Sequence, residues 1–98
     1  MIKDHTHRIL SNMNAFIDSF VKTGKNLRKL VSDLEGSLNA LEEELPKNFY
    51  QGWYEYWGSL EEVSAVSIVE QKEPDLRNAR DLAIKLRQHI QSLLNERE

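Results

Sequence analysis

The sequence predicts an all-α protein, and three observations carry that prediction. Apolar residues recur at alternating spacings of three and four, which places them on one stripe of an α-helix. The long first stretch does not alternate apolar and polar residues at every second position, as a half-buried strand would. The only two prolines, Pro46 and Pro74, divide the chain into three amphipathic stretches. Together these point to an antiparallel helical bundle in a single domain, 1–98, with helices at about 6–45, 49–70 and 74–96.

The first stretch carries Leu10, Met13, Ile17, Phe20, Leu27, Val31, Leu34, Leu38, Leu41 and Leu45 on one seam, with charged and amide residues on the opposite face. Gly24 interrupts it. If the helix is continuous, residues 6–45 span roughly 60 Å. If Gly24 ends one helix and Asn26 caps the next, the bundle has four helices. The seam keeps its heptad phase across Gly24, which favours the continuous, coiled-coil-like helix. Two later helices of about 20 residues would then leave part of the seam uncovered, and a homodimer is the expected cover.

Pro46 ends this element, and Asn48 with Gln51 three residues on forms a capping-box pattern for the second helix. Gly58 and Ser59 mark a candidate kink in it. Its tail, VSAVSIV at 63–69, is apolar nearly all round and reads as a helix end packed on two sides. Pro74 suits the first turn of the third helix, where an amide hydrogen would go unpaired anyway. That helix buries Leu76, Ala79, Ala83, Leu86, Ile90 and Leu93.

Six of the eight aromatic residues fall within positions 49–57, in NFYQGWYEYWG. On a helical wheel at about 100° per residue they fill one arc of about 160°, wider than the stripe of about 100° that a core-facing helix commits. Phe49, Trp53, Tyr56, Trp57 and Leu60 read as core at the centre of the arc. Its rim reads as a binding face, because a ring there buries its body and still presents a polar tip. The predicted partner-binding residues are Tyr50, Trp53, Tyr54 and Trp57.

Composition narrows the chemistry. The chain has 98 residues, no cysteine and a net charge of -3, so disulfides, thiolate metal sites and thiol nucleophiles are excluded. No apolar run reaches the roughly 18 residues of a membrane span, and the N-terminus lacks a signal-peptide core, so a cytoplasmic protein is expected. Charge is segregated: residues 1–30 carry 6 bases and 2 acids, 31–75 carry 2 and 11, and 76–98 carry 5 and 3. An acidic block between basic ones favours antiparallel packing of the chain on itself or on a second copy.

No catalytic, cofactor or metal motif is present. Asp4, His5 and His7 lie near the terminus with histidines two apart, pointing away from each other on a helix, and no metal site is expected there. His89 reads as a structural histidine at the edge of its stripe. Glu42, Glu43, Glu44, Glu61 and Glu62 could supply an acid/base pair or hold magnesium only from facing buried positions, and they read instead as solvated faces. Lys22, Lys25, Arg28 and Lys29 form one basic cluster, thin support for a nucleic-acid accessory factor.

The chain has a Trp57-Gly58 pair near its middle, as small secreted helical-hairpin proteins have a Trp-x-Gly turn. It departs from them in that the two residues are adjacent and the turn is expected at Pro46. In size, acidity and helical build it is similar to the small bundle proteins that give bacteria immunity to their own bacteriocins, a likeness of architecture alone. The expected function is therefore non-enzymatic, without cofactor or small-molecule substrate: binding, and neutralising or chaperoning, one protein partner. A purely structural homodimer and a nucleic-acid accessory factor are the alternatives.

Overall fold

Gly24 decides the architecture. The computed structural model describes residues 3–42 and 44–95 and has four helices: α1 (Asp4–Thr23), α2 (Leu27–Asn39), α3 (Lys47–Val69) and α4 (Leu76–Asn95). The continuous first helix expected over 6–45 is replaced by a helical hairpin. Gly24 sits in the left-handed region at φ 66°, and its N–H donates to the Phe20 carbonyl at 2.7 Å. Asn26 is also left-handed, at φ 63°, and its carbonyl accepts the Leu30 N–H that opens α2. Thr23 ties the turn by donating to the Ser19 carbonyl and accepting from the Lys25 N–H. Glycine and asparagine are the residues that adopt this conformation most cheaply. The heptad phase survives the break because both helices turn the same stripe toward one core, so shared phase reports a common partner and not continuity.

The Arg80 guanidinium of α4 lies over this turn, 2.5 Å from where a Cβ on Gly24 would stand. A cation there also faces the negative end of the α1 dipole. Gly24→Ala is expected to lower stability by about 1–2 kcal/mol, the cost of holding an L residue left-handed. The steric part is small, because the tip of Arg80 can swing away. Urea denaturation checks this, and Gly24→Asn should cost less than Gly24→Ala, since asparagine tolerates that backbone.

The remaining boundaries follow local chemistry. α2 ends at Asn39 and not at 45: its last turn tightens, with the Leu41 N–H bonded to the Leu38 carbonyl. Continuing it would set Glu42 and Glu44 at the negative end of the helix dipole. The chain leaves the helix and tucks Leu45 into the core. Pro46 then takes the N-cap position of α3, so the Asn48 capping box does not form and no side chain caps this helix. α3 runs through Gly58 without a break, where Ser59 returns its hydroxyl proton to the Glu55 carbonyl. It closes with Gln71 left-handed at φ 53° and the Lys72 N–H on the Ser67 carbonyl, a Schellman-type turn. Asp75, rather than Pro74, begins α4: its carboxylate accepts the Asn78 N–H at 3.1 Å as an N-cap should.

The connections at 24–26, 40–46 and 70–75 are short, so successive helices run antiparallel. α2 packs on α1 and α3, and α4 on α3 and α1, which makes a ring of four around one core. Across the α1/α4 contact a polar ladder runs outside the core: Arg87 pairs with Asp18 at 2.6 Å, and Asn14 donates to the Gln91 side chain at 3.3 Å. The predicted seam residues of the first stretch are buried, Leu41 only partly, and Leu30 joins them. Folding α2 back onto α1 therefore removes the uncovered seam from which a homodimer was expected.

Candidate functional site

The aromatic stretch opens α3 and divides into two clusters. On the α2 side, Trp53 is fully buried and stacks on Trp57 with ring centroids 5.6 Å apart. Trp57 is buried too, and its indole N–H donates to the Val31 carbonyl of α2 at 2.9 Å. Tyr54 meets both rings edge-on and is 51% exposed. On the α4 side, Phe49 stacks on His89 at 5.2 Å, and Tyr56 meets the same imidazole edge-on. The Phe49 carbonyl accepts a hydrogen bond from His89 Nε2 at 2.8 Å, so that nitrogen carries the proton. Tyr50 is half-buried, edge-on to Phe49, and its hydroxyl accepts the Leu45 N–H at 3.4 Å.

The four residues assigned to a partner from sequence thus occupy different places. Trp53, Tyr54 and Trp57 are brought together, but Trp53 and Trp57 lie within the core, Tyr50 braces the 40–46 connection, and Tyr54 alone is mostly open. The breadth of the aromatic arc is used for packing against two neighbours, α2 on one flank and α4 on the other.

Open apolar surface lies further along the same helix. Val66, Ile68 and Val69 are exposed, Val69 by 80%, so the tail read as packed on two sides is packed on one. The wheel held the signal: at about 100° per residue Val66 and Val69 fall roughly 140° and 160° from Trp53, on the side facing away from the core. Ile68 falls only about 60° from Trp53 and is open because the bundle ends there.

Beside Val66 a groove of about 650 Å³ runs between α3 and α4 and is closed at one end by the 70–75 connection. Val63, Val66, Pro74 and Leu82 give it apolar walls, and Glu62 and Glu73 stand at it. A second hollow of about 440 Å³ adjoins it at the bundle end, between the α1–α2 turn and Ile68, and Ser67, Glu73 and Pro74 line both. A hollow of about 520 Å³ between α1 and α4 is lined instead by the polar ladder of Asn14, Asp18, Arg87 and Gln91.

The other sequence candidates are dispersed. No group of three or more His, Asp or Glu side chains converges among the described residues. Glu42, Glu44, Glu61 and Glu62 are exposed, and Glu43 lies outside the described residues. Lys22, Lys25, Arg28 and Lys29 are exposed around the α1–α2 turn, with Lys29 paired to Asp33 at 2.7 Å. No helix among the described residues is long and apolar enough to cross a membrane. No protein-family model, curated protein or solved structure matches the chain.

Proposed function

We propose that the chain is a non-enzymatic helical protein that binds another protein through the outer face and last turns of α3. One observation carries this reading. Of the five large apolar side chains most exposed among the described residues, Tyr54, Val66, Ile68 and Val69 are on α3, and only Ile84 is elsewhere. Scattered single exposures are ordinary on a folded protein, but three within four residues beside an apolar groove are the pattern of a contact surface. Solvent-facing positions on α1, α2 and α4 carry mainly charged and amide side chains, which suit a helix whose outer face meets only water. Neutralising or chaperoning the bound partner is the specific form proposed.

The test changes Val66, Ile68 and Val69 to Ser together. Their exposure means that each substitution should shift stability by no more than about 0.5 kcal/mol. Capture of a stoichiometric partner from the native host should nevertheless fall at least several-fold. Unchanged capture by the triple variant refutes α3 as the contact. A concentration-dependent dimer in light scattering that the triple variant abolishes assigns the surface to self-association instead.

A further inference from the structure

The geometry points to a cationic amphipathic helix of the partner as the segment that occupies the groove between α3 and α4; this deepens the reading of α3 as the contact face and rests on it. The groove follows α3 from Ser59 to Ser67, about 12 Å of helix. That length suits two or three turns of a docked helix whose apolar side chains recur at three and four. The other common peptide modes do not fit. No strand exists among the described residues, so there is no sheet edge to extend, and no aromatic ring lines the groove to receive a polyproline segment.

Charge selects the partner. Glu62, Glu73 and Asp75 line the groove, and neither Glu62 nor Glu73 takes part in an ion pair among the described residues. Lys72 is the one base in the lining, and it is held by Glu70 at 3.2 Å. α3 and the 70–75 connection, which form one wall and the closed end of the groove, carry 6 acids against 2 bases over residues 47–75. A nucleic acid or an anionic lipid surface is repelled by that field, whereas a helix with an apolar stripe flanked by Lys and Arg meets both the walls and the rim. A second copy of the chain offers no such segment among the described residues. Among and just after its own clustered bases Lys22, Lys25, Arg28 and Lys29, the apolar residues Leu27 and Leu30 are already buried in the core.

The experiment maps backbone amide shifts of the full ¹⁵N-labelled chain on titration with a synthetic Leu/Lys peptide of about 18 residues, five helical turns, patterned as an amphipathic helix. Two controls have the same composition scrambled and the same pattern with Glu for Lys. Shifts should concentrate at Val63, Val66, Asn78 and Leu82, and both controls should bind at least roughly tenfold more weakly. Glu62→Lys with Glu73→Lys should reduce affinity for the patterned peptide by a similar factor, and salt should weaken it, because exposed charges are screened within about 10 Å at 0.1 M. Circular dichroism confirms that this double variant is folded. Equal binding of the scrambled peptide, shifts on another face, or tighter binding to phosphatidylserine vesicles than to the peptide overturns the inference. If the peptide fails while partner capture still depends on Val66, Ile68 and Val69, the partner's chemistry is wrong and the contact face stands. If both fail, the contact face is wrong as well.

Discussion

Trp53→Ala is expected to lower unfolding free energy by about 3–5 kcal/mol, the range for emptying a large aromatic site in a core. Trp53 is fully buried, stacked on Trp57 and packed under Tyr54, so its removal leaves a cavity bounded by rigid rings that cannot collapse into it. A domain of this kind holds only about 5–15 kcal/mol in total, and the variant should unfold in far less urea. Had Trp53 been a surface anchor for a partner, the same change would spare stability and abolish binding. Two gentler variants separate packing from hydrogen bonding. The Trp53 indole N–H is buried without an acceptor, so Trp53→Phe gives up ring area but also removes an orphan donor. Trp57→Phe loses a good bond to the Val31 carbonyl. Trp57→Phe should therefore be the costlier of the two by about 1 kcal/mol, and the reverse order in paired urea titrations would contradict this account of the two indoles.

Gly52→Ala is expected to destabilise the bundle although alanine is the better helix former by about 1 kcal/mol. A Cβ at position 52 would stand 2.5 Å from His89 Cε1 and 2.7 Å from Nε2. Unlike the free tip of Arg80, this ring is fixed from three sides: by Phe49 stacking, by the edge of Tyr56 and by the bond to the Phe49 carbonyl. Displacing it breaks that bond and opens the α3/α4 seam, so the net cost should be about 1–3 kcal/mol, as for other overpacked sites. In a His89→Ala background the obstacle is gone, and Gly52→Ala should become neutral or stabilising. A double-mutant cycle by thermal or urea denaturation reads this coupling directly. Equal effects of Gly52→Ala in both backgrounds would show that Gly52 is not required by the histidine.

Much of the fold was legible because the information was local. The stripes Leu10, Met13, Ile17 and Ala79, Ala83, Leu86, Ile90 needed only the 3.6-residue period to be placed on the core side, and they are fully buried. His89 stands at the edge of its stripe, and there it joins α4 to α3 through the Phe49 ring and carbonyl. The helix boundaries were less legible. Whether Gly24 interrupts a helix or ends one depends on what α2 finds to pack against, and a heptad phase carries no record of a reversal in direction. The end of α2 was missed for a related reason: Leu45 continues the periodic seam, but it reaches the core from a loop.

Tyr50, Trp53, Tyr54 and Trp57 share the opening turns of α3, while the more exposed apolar side chains Val66, Ile68 and Val69 lie at its other end. Aromatic density points to Tyr50, Trp53, Tyr54 and Trp57 as a binding face, because large rings with polar tips are typical of interfaces. Their burial was set by neighbours distant in sequence: Val31 offers a carbonyl to Trp57, and His89 covers Phe49. Val66 and Val69, with small branched side chains at the close of an apolar helix, fall opposite the core on the wheel and are exposed.

The sequence by itself determined the all-α class, the inward faces of the helices, the lack of cysteine chemistry and the acidic middle of the chain, since each is a property of composition or of spacing within one helix. Only the tertiary structure decided that the first stretch is a hairpin, that Trp53 and Trp57 are buried between neighbours while Tyr54 stays open, and that the open apolar surface sits beside the groove at the end of α3. Those are facts about which faces meet. They depend on helix directions and lengths fixed jointly by all four elements, and side-chain burial follows from that joint solution rather than from the residue's own hydrophobicity.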